Sequence, residues 1–431
     1  MKRRAQHQDD RHVYNEQLSL HFSQTRSVEV NPFHDFKFLY FRNVIRSTLW
    51  TRNFVLLTLS HFLMCAAYYS LISTLPLFIS NELKTTHGMV GLIMASYAVA
   101  AILIRPFTGF GLDFFGRKTI FLSSLLVFAL VFNAYLFVTG VFFLIVVRVL
   151  HGFTWGVTST ANSTIAGDLI PAEKRGEGFG YFGVTATSGM AIGPLIGSMV
   201  LERWGYHAMF ISGLFMGLIS LFLALLIRYP HFVVNPDLRF SWRNLLESRS
   251  IIPSINLLIT GLSYGGLLSF ITLFGKEIGI HNPSGFFLIY ACGIISARIL
   301  SGKRVDRQGP KKILLFCLSL MIIGFPLLAL VKNPYGFFGS AIILGFGNGV
   351  IWPTFQAMIN NIVEPQSRGA ANSTAFIAMD LGMGLGMILA GAISEHFSIT
   401  AAFLFCSVIC FAGLMMFLNF TLKHYLNHRV S

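Results

Sequence analysis

Charge is scarce in this sequence, and acid is the scarcest part of it. Of 431 residues only 12% are charged, with 18 Asp and Glu against 32 Lys and Arg, while 54% are hydrophobic. That composition is too apolar to clothe a water-soluble fold, so a polytopic membrane protein is expected. The net charge of +14 would suit a nucleic-acid partner, but the cations lie in the loops of one face, and no nucleic acid is expected. Cysteine is sparse too. Cys65, Cys292, Cys317, Cys406 and Cys410 all fall in apolar stretches without metal-ligand spacing, which leaves small hydrophobic packing and neither metal nor disulfide. No GxxxxGK[ST] stretch is present to cradle a nucleotide. Residues 1 to about 50 lack the apolar core of a cleaved signal.

What is abundant is the apolar run of about 20 residues, the length a helix needs to cross about 30 Å of hydrocarbon. About twelve are expected, near residues 53–75, 88–108, 119–139, 142–165, 178–200 and 208–228, then 252–274, 284–302, 313–331, 335–359, 370–393 and 399–421. The expected fold is therefore an all-α membrane protein of twelve helices in two six-helix halves. The segments are a tail (1–52), a first bundle (53–228), a central loop (229–250), a second bundle (251–422) and a short tail (423–431). Residues 33–50 mix aromatic and basic side chains, which suits a helix lying at the headgroups. The loops of one side hold only Lys84, Arg203, Lys276 and Lys332. Nearly all other cations lie on the opposite side with both termini, which places the termini in the cytoplasm of an inner-membrane protein.

The halves repeat. RPFTGFGLDFFGRK at 105–118 returns as RILSGKRVDRQGPK at 298–311, with Arg105, Gly109, Asp113, Gly116 and Lys118 each 193 residues before Arg298, Gly302, Asp306, Gly309 and Lys311. Each copy lies between two apolar runs and reads as a short charged turn. The same shift carries Gly152, Gly156, Gly189, Gly193 and Glu202 onto Gly345, Gly349, Gly382, Gly386 and Glu395. Two like-oriented halves that rock about a midplane site are the architecture such a repeat implies. The halves differ where Arg148 falls on Ala341, Pro194 on Met387 and Thr187 on Asp380.

Polar residues inside apolar runs are costly and so mark candidate sites. Asp380 is the acidic residue near the middle of a span; it either couples transport to protons or makes a structural hydrogen bond. Arg148 faces protein or a wet cavity, or else anchors a span at its rim. His61 and His151 either bond a neighbouring helix or belong to a proton path. A direct electrostatic link between Arg148 and Asp380 is a hypothesis that rests on the cost of each in lipid. Asn348, Trp352 and Gln356 recur every four residues on one helix face, as a cavity lining or an interhelix bonding row. With Tyr68, Trp155, Tyr264 and Asn372 they form the candidate substrate cavity. In 180–197, Gly180, Gly189, Gly193, Pro194 and Gly197 describe a helix able to bend and to pack closely.

With these residues in view, the chain resembles the major facilitator superfamily over nearly all of its length after residue 50. The loop signature G-x-L-A-D-R-x-G-R-K is matched at Gly109, Asp113, Gly116, Arg117 and Lys118, with Gly111 and Phe114 departing from it. The resemblance implies a cytoplasmic latch through Asp113 and Arg117, with Gly302, Asp306 and Gly309 as a weaker counterpart. The fifth-helix signature of proton-coupled exporters, G-x8-G-x3-G-P-x2-G-G, is matched from Gly180 to Gly197, with Ser198 in place of the last Gly. Arg148 with Gly152 resembles the fourth-helix R-x-x-Q-G signature, His151 standing for Gln. The resemblance implies a secondary transporter rather than an enzyme, and export of a small organic compound against protons. Its proton-coupling candidates are Asp380, Arg148, His61 and His151. A proton gradient replaces any cofactor; the partners are a small-molecule substrate, protons and the bilayer, and a monomer is expected. A proton-linked uptake carrier for a sugar or carboxylate is the alternative, and a non-transporting receptor or membrane enzyme a remoter one.

Overall fold

The computed structural model describes residues 48–171, 174–229, 247–308, 310–363 and 368–428. The expected headgroup helix over 33–50 and most of the central loop lie outside them, as do the side chains of Asp113, Gly302, Asp306 and Gly309. Leu49–Ser431 forms one compact unit, and the described residues contain helices and no strand. The helices are α1 (Arg52–Asn81), α2 (His87–Phe114), α3 (Arg117–Ala134), α4 (Val141–Leu169), and Arg175–Leu225, which holds α5 (175–204) and α6 (206–225). There follow α7 (Ile251–Glu277), α8 (Gly285–Gln308), α9 (Pro310–Leu330), α10 (Pro334–Asn361), α11 (Arg368–His396) and α12 (Ile399–Met416). A π-turn, Phe417–Thr421, carries α12 on into α13 (Leu422–His428).

Sequence explains where these helices begin. Thr51, Thr86 and Ser398 each take the amide three residues on through the side-chain hydroxyl, at 3.2, 3.3 and 3.1 Å. Asn333 does the same for Gly336 at 2.9 Å, with Pro334 occupying the first helical position. Each cap satisfies an amide that the helix itself cannot, which matters most where no water competes.

Among the described residues, ten helices are long and apolar enough to cross a membrane, and Gly285–Leu300 is a shorter apolar one. The longest of the ten, Gly178–Leu225, is two passes. His61, Cys65 and Ser70 of α1 meet Thr185, Gly189 and Gly197 of α5 in parallel order. Ser60 and Thr74 meet Ser220 and Met209 of α6 in antiparallel order. The chain therefore reverses at Gly205, where φ is 79° and ψ −177°. Only glycine adopts that conformation without strain. A Cβ there would have nothing within 4 Å, so Gly205→Ala is expected to cost about 1–3 kcal/mol through the backbone alone. A lowered melting temperature in detergent, with no change in substrate selectivity, is the result to look for.

One expectation changes. The 105–118 stretch is not a short turn: α2 runs through Pro106 to Phe114, and only Phe115 and Gly116, with φ 88°, reverse the chain. The apolar side chains Phe107, Phe110 and Phe114 let the helix continue beyond the expected residue 108. Arg105, at the end of the expected 88–108 span, therefore lies well inside the helix rather than at the head of a turn.

The repeat seen in sequence is a repeat of packing. On α4, a Cβ on Gly152 would strike the Tyr97 carbonyl of α2; on α10, one on Gly345 would strike the Tyr290 carbonyl of α8. Tyr97 and Tyr290 are themselves 193 residues apart. Gly189 and Gly193 close α5 onto α1 at Cys65 and Ala66, and Gly382 and Gly386 close α11 onto α7 at Leu258 and Leu262. These small residues allow the backbone approach on which helix association in lipid depends. Gly180 departs from the expected pattern, since a Cβ there would meet nothing within 4 Å. The halves join through α2 against α11 and α5 against α8. At the end carrying Gly205 and Gly279, Glu395 of α11 accepts from Gly88 N at 2.8 Å and Thr86 Oγ1 at 3.0 Å, capping α2. Its repeat mate Glu202 lies 3.8 Å from Lys276, and Ser198 of α5 hydrogen-bonds Ser284 beside the start of α8.

Candidate coupling and substrate site

The α2–α11 crossing carries an ion pair. Arg105 Nε donates to Asp380 Oδ2 at 2.6 Å, and the two side chains retain only 12% and 11% of their exposure. Arg105 Nη1 also donates to Thr160 Oγ1 of α4 at 3.3 Å, and the Thr160 hydroxyl passes its own proton to Gly156 O at 2.8 Å. The guanidinium carbon lies 5.3 Å from the centre of the Phe376 ring, and Phe376 lies 4.9 Å from Trp352. A charged pair removed from water is held only when such extra donors and acceptors complete it. Asp380 is thus paired, and its direct partner is Arg105 rather than Arg148.

Arg148 is fully buried on α4 and turned toward α2. Nη2 donates to Met94 O at 3.0 Å, Nε approaches Ile93 O at 3.5 Å, and the guanidinium carbon sits 4.6 Å from the Tyr97 ring centre. It is therefore not a rim anchor. One turn on, His151 Nδ1 meets Tyr135 Oη at 3.1 Å. Tyr68 of α1 stacks on Trp155 at 3.9 Å and stands edge-on to His151 at 6.2 Å. Arg148 Nη1, His151 Nε2 and Tyr68 Oη have no hydrogen-bond partner among the described residues.

His61 lies on α1 against α5, stacked on Phe182 at 4.1 Å. The Thr185 hydroxyl gives its proton to Phe182 O at 2.6 Å, so its oxygen accepts from His61 Nδ1–H at 2.8 Å. This is the helix-to-helix bond of the simpler sequence reading. In the second half, Asn348 Nδ2 donates to Tyr290 Oη at 2.7 Å, and Tyr264 Oη donates to Met190 Sδ at 3.4 Å, from α7 to α5. Gln356 is half-buried on α10, and Asn372 Oδ1 on α11 is buried without a described partner. The cavity candidates therefore divide between the two halves, Tyr68 and Trp155 on α1 and α4, the others on α7, α10 and α11.

At the other end of α2, Arg117 forms an ion pair with Asp168 of α4, a partner the signature did not name. Phe114, where the signature has Arg, stacks on Phe110 at 5.5 Å. A Cβ on Gly109 would meet nothing within 4 Å. Asp113, the centre of the expected latch, lies outside the described side chains. Among the described residues no group of His, Cys, Asp and Glu is arranged to hold a metal. Cys65, Cys317, Cys406 and Cys410 are buried as packing residues, and Cys292 is exposed.

Paired bundles of apolar helices, packed alike at matching glycines and joined across their crossings by a nearly buried ion pair, define a multi-pass membrane transporter. The chain belongs to the Major Facilitator Superfamily, whose family model matches residues 57–307 and 277–429. It is 25% identical over 396 residues to the multidrug resistance protein MdtG of Proteus mirabilis, covering 86% of this chain and 96% of that protein. It is 26% identical over 410 residues to a multi-drug resistance efflux pump PmrA homolog of Lactococcus lactis, covering 90% and 99%. Among solved structures, a bacterial homolog of the human lysosomal transporter Spinster, inward-facing and unoccupied, superposes with a TM-score of 0.71 at 15% identity, covering 88% of this chain and 98% of that one. The nucleoside transporter NupG superposes with a TM-score of 0.69 at 18% identity, covering 85% and 99%.

Proposed function

We propose that this transporter exports a small organic compound in exchange for protons, with the Arg105–Asp380 pair as its coupling element. The observation that carries the reading is that the pair bridges the halves, α2 to α11, at 2.6 Å. Protonation of Asp380 removes one of the two charges. The attraction across the crossing then falls to that of a neutral hydrogen bond, and the two halves, 53–228 and 251–422, are freer to rock. Phe376 links the same guanidinium to Trp352, one of the candidate cavity residues, so a compound lodged against Trp352 competes with or reinforces the pair. One proton moving down 100 mV supplies about 2.3 kcal/mol, enough to drive uphill export without ATP. Arg148 and His151 are secondary stations, each with a nitrogen that has no described partner, and His151 stands edge-on to Tyr68; His61, bonded to Thr185, is a further one.

The protein works as a monomer in the inner membrane, with its termini and the Gly116 turn in the cytoplasm. The curated relatives named as drug-resistance proteins support export, and the Gly189–Gly197 seam supports antiport through the exporter signature. Everted and right-side-out vesicles, loaded with a pH-sensitive dye and offered a panel of drugs and metabolites, test this. Uptake into everted vesicles that runs with proton exit is the expected result. Accumulation in right-side-out vesicles with proton entry would instead establish the uptake carrier.

A further inference from the structure

The 193-residue repeat places a second arginine opposite the coupling pair. Arg298 on α8 is the repeat mate of Arg105, and Thr187 on α5 is the repeat mate of Asp380. The contacts repeat as well. Arg298 Nη1 donates to Thr187 Oγ1 at 3.4 Å, as Arg105 donates to Asp380. Arg298 Nε donates to Gly349 O at 3.2 Å, while Arg105 reaches the equivalent carbonyl, Gly156 O, through Thr160. What differs is the charge. Arg105 has a carboxylate, whereas Arg298 has a hydroxyl and a carbonyl and no acid among the described residues.

We infer that Arg298, framed by Thr187 and Gly349, is the receptor for a carboxylate carried by the transported compound. The Thr187 hydroxyl gives its proton to Gly183 O at 3.1 Å, so its oxygen is an acceptor held against the guanidinium. Arg298 Nη2 makes no hydrogen bond to a described residue, and Arg298 is only partly buried. Gly183 keeps the neighbouring face clear: a Cβ there would already stand 3.4 Å from Nη1. Arg148 differs, being sealed beneath Tyr97 and bonded to α2 carbonyls. A guanidinium at a half-to-half crossing with a free edge is a fork for a carboxylate. A bound substrate would complete on α5–α8 the charge pairing that the chain itself completes on α2–α11.

The occupant rests on the transport reading above, so the test reads binding rather than flux. Full-length protein in phosphatidylcholine nanodiscs is titrated with carboxylates from hexanoate to 2-naphthoate and with their primary amides, by equilibrium dialysis. Wild type is expected to favour at least one carboxylate over its amide by about tenfold or more. Arg298→Gln should erase that preference while still binding the amide, which shows that the cavity is folded. Thr187→Asp should do the same by presenting a fixed carboxylate to Arg298. No carboxylate preference in wild type, or an unchanged preference in Arg298→Gln or Thr187→Asp, overturns the inference. Displacement of the bound carboxylate on adding phosphatidylglycerol also overturns it, and assigns the site to a lipid headgroup. Carboxylate selectivity that persists while proton-coupled flux is absent would sink the antiport reading alone.

Discussion

Asp380→Asn is expected to abolish substrate-dependent proton movement in proteoliposomes while substrate-for-substrate exchange continues. The asparagine keeps a hydrogen bond to Arg105 but has nothing to titrate. Arg105→Gln has a different expected effect, because it strands a carboxylate with 11% exposure in an apolar crossing. Removing one member of a buried pair costs about 3–5 kcal/mol, and the lower end of that range is the fairer expectation for a pair with some residual exposure. The double variant Arg105→Gln/Asp380→Asn should therefore be more stable than Arg105→Gln alone, since it replaces an orphaned charge with a neutral bond. Melting curves for the four proteins give the stability cycle, and dye-loaded proteoliposomes give the coupling. Proton movement undiminished in Asp380→Asn would transfer the coupling role to Arg148, His151 or His61.

The second large effect is structural. Gly152→Val and Gly345→Val each place a branched side chain on a backbone carbonyl, of Tyr97 and Tyr290, with the Cα atoms of those tyrosines 2.8 and 3.0 Å from the new Cβ. Overpacking among side chains costs about 1–3 kcal/mol because side chains move aside. A helix backbone yields less, so both variants are expected to exceed that range and to fail to give monodisperse protein. Gly339→Val on α10 meets nothing within 4 Å, and it serves as the control for valine in a helix. Equal losses at 152 and 345 would bear out the packing repeat; a harmless Gly345→Val would show that α8 can slide away from α10.

Much of this was legible in the chain. The 193-residue offset, read from charged and glycine positions, recurs in contacts that sequence could not display: Gly152 on Tyr97 and Gly345 on Tyr290. Asp380 was legible because a lone acid in an apolar span is conspicuous. Its partner was not, since Arg105 falls at the end of the expected 88–108 span and reads as the head of a charged turn until the helix is seen to continue to Phe114. Pro106 does not end the helix, because a membrane helix tolerates a proline within its run. Asp168 was hidden for another reason: its bond to Arg117 joins α4 to α3 across more than fifty residues. Nor does a glycine signature say which of its members touch anything, and Gly180 does not while Gly189, Gly193 and Gly197 do.

The reversal at Gly205 has a consequence for how the protein is made. The polar link between the two apolar passes is short, Glu202, Arg203 and His207 about Gly205, and the backbone of one residue turns α5 back into α6. A pair so tightly joined is expected to enter the lipid as one hairpin, with Glu202, Arg203 and His207 at its tip. A tag or protease site spliced beside Gly205 would then do more than mark a loop: it would separate helices that the membrane receives as a single unit.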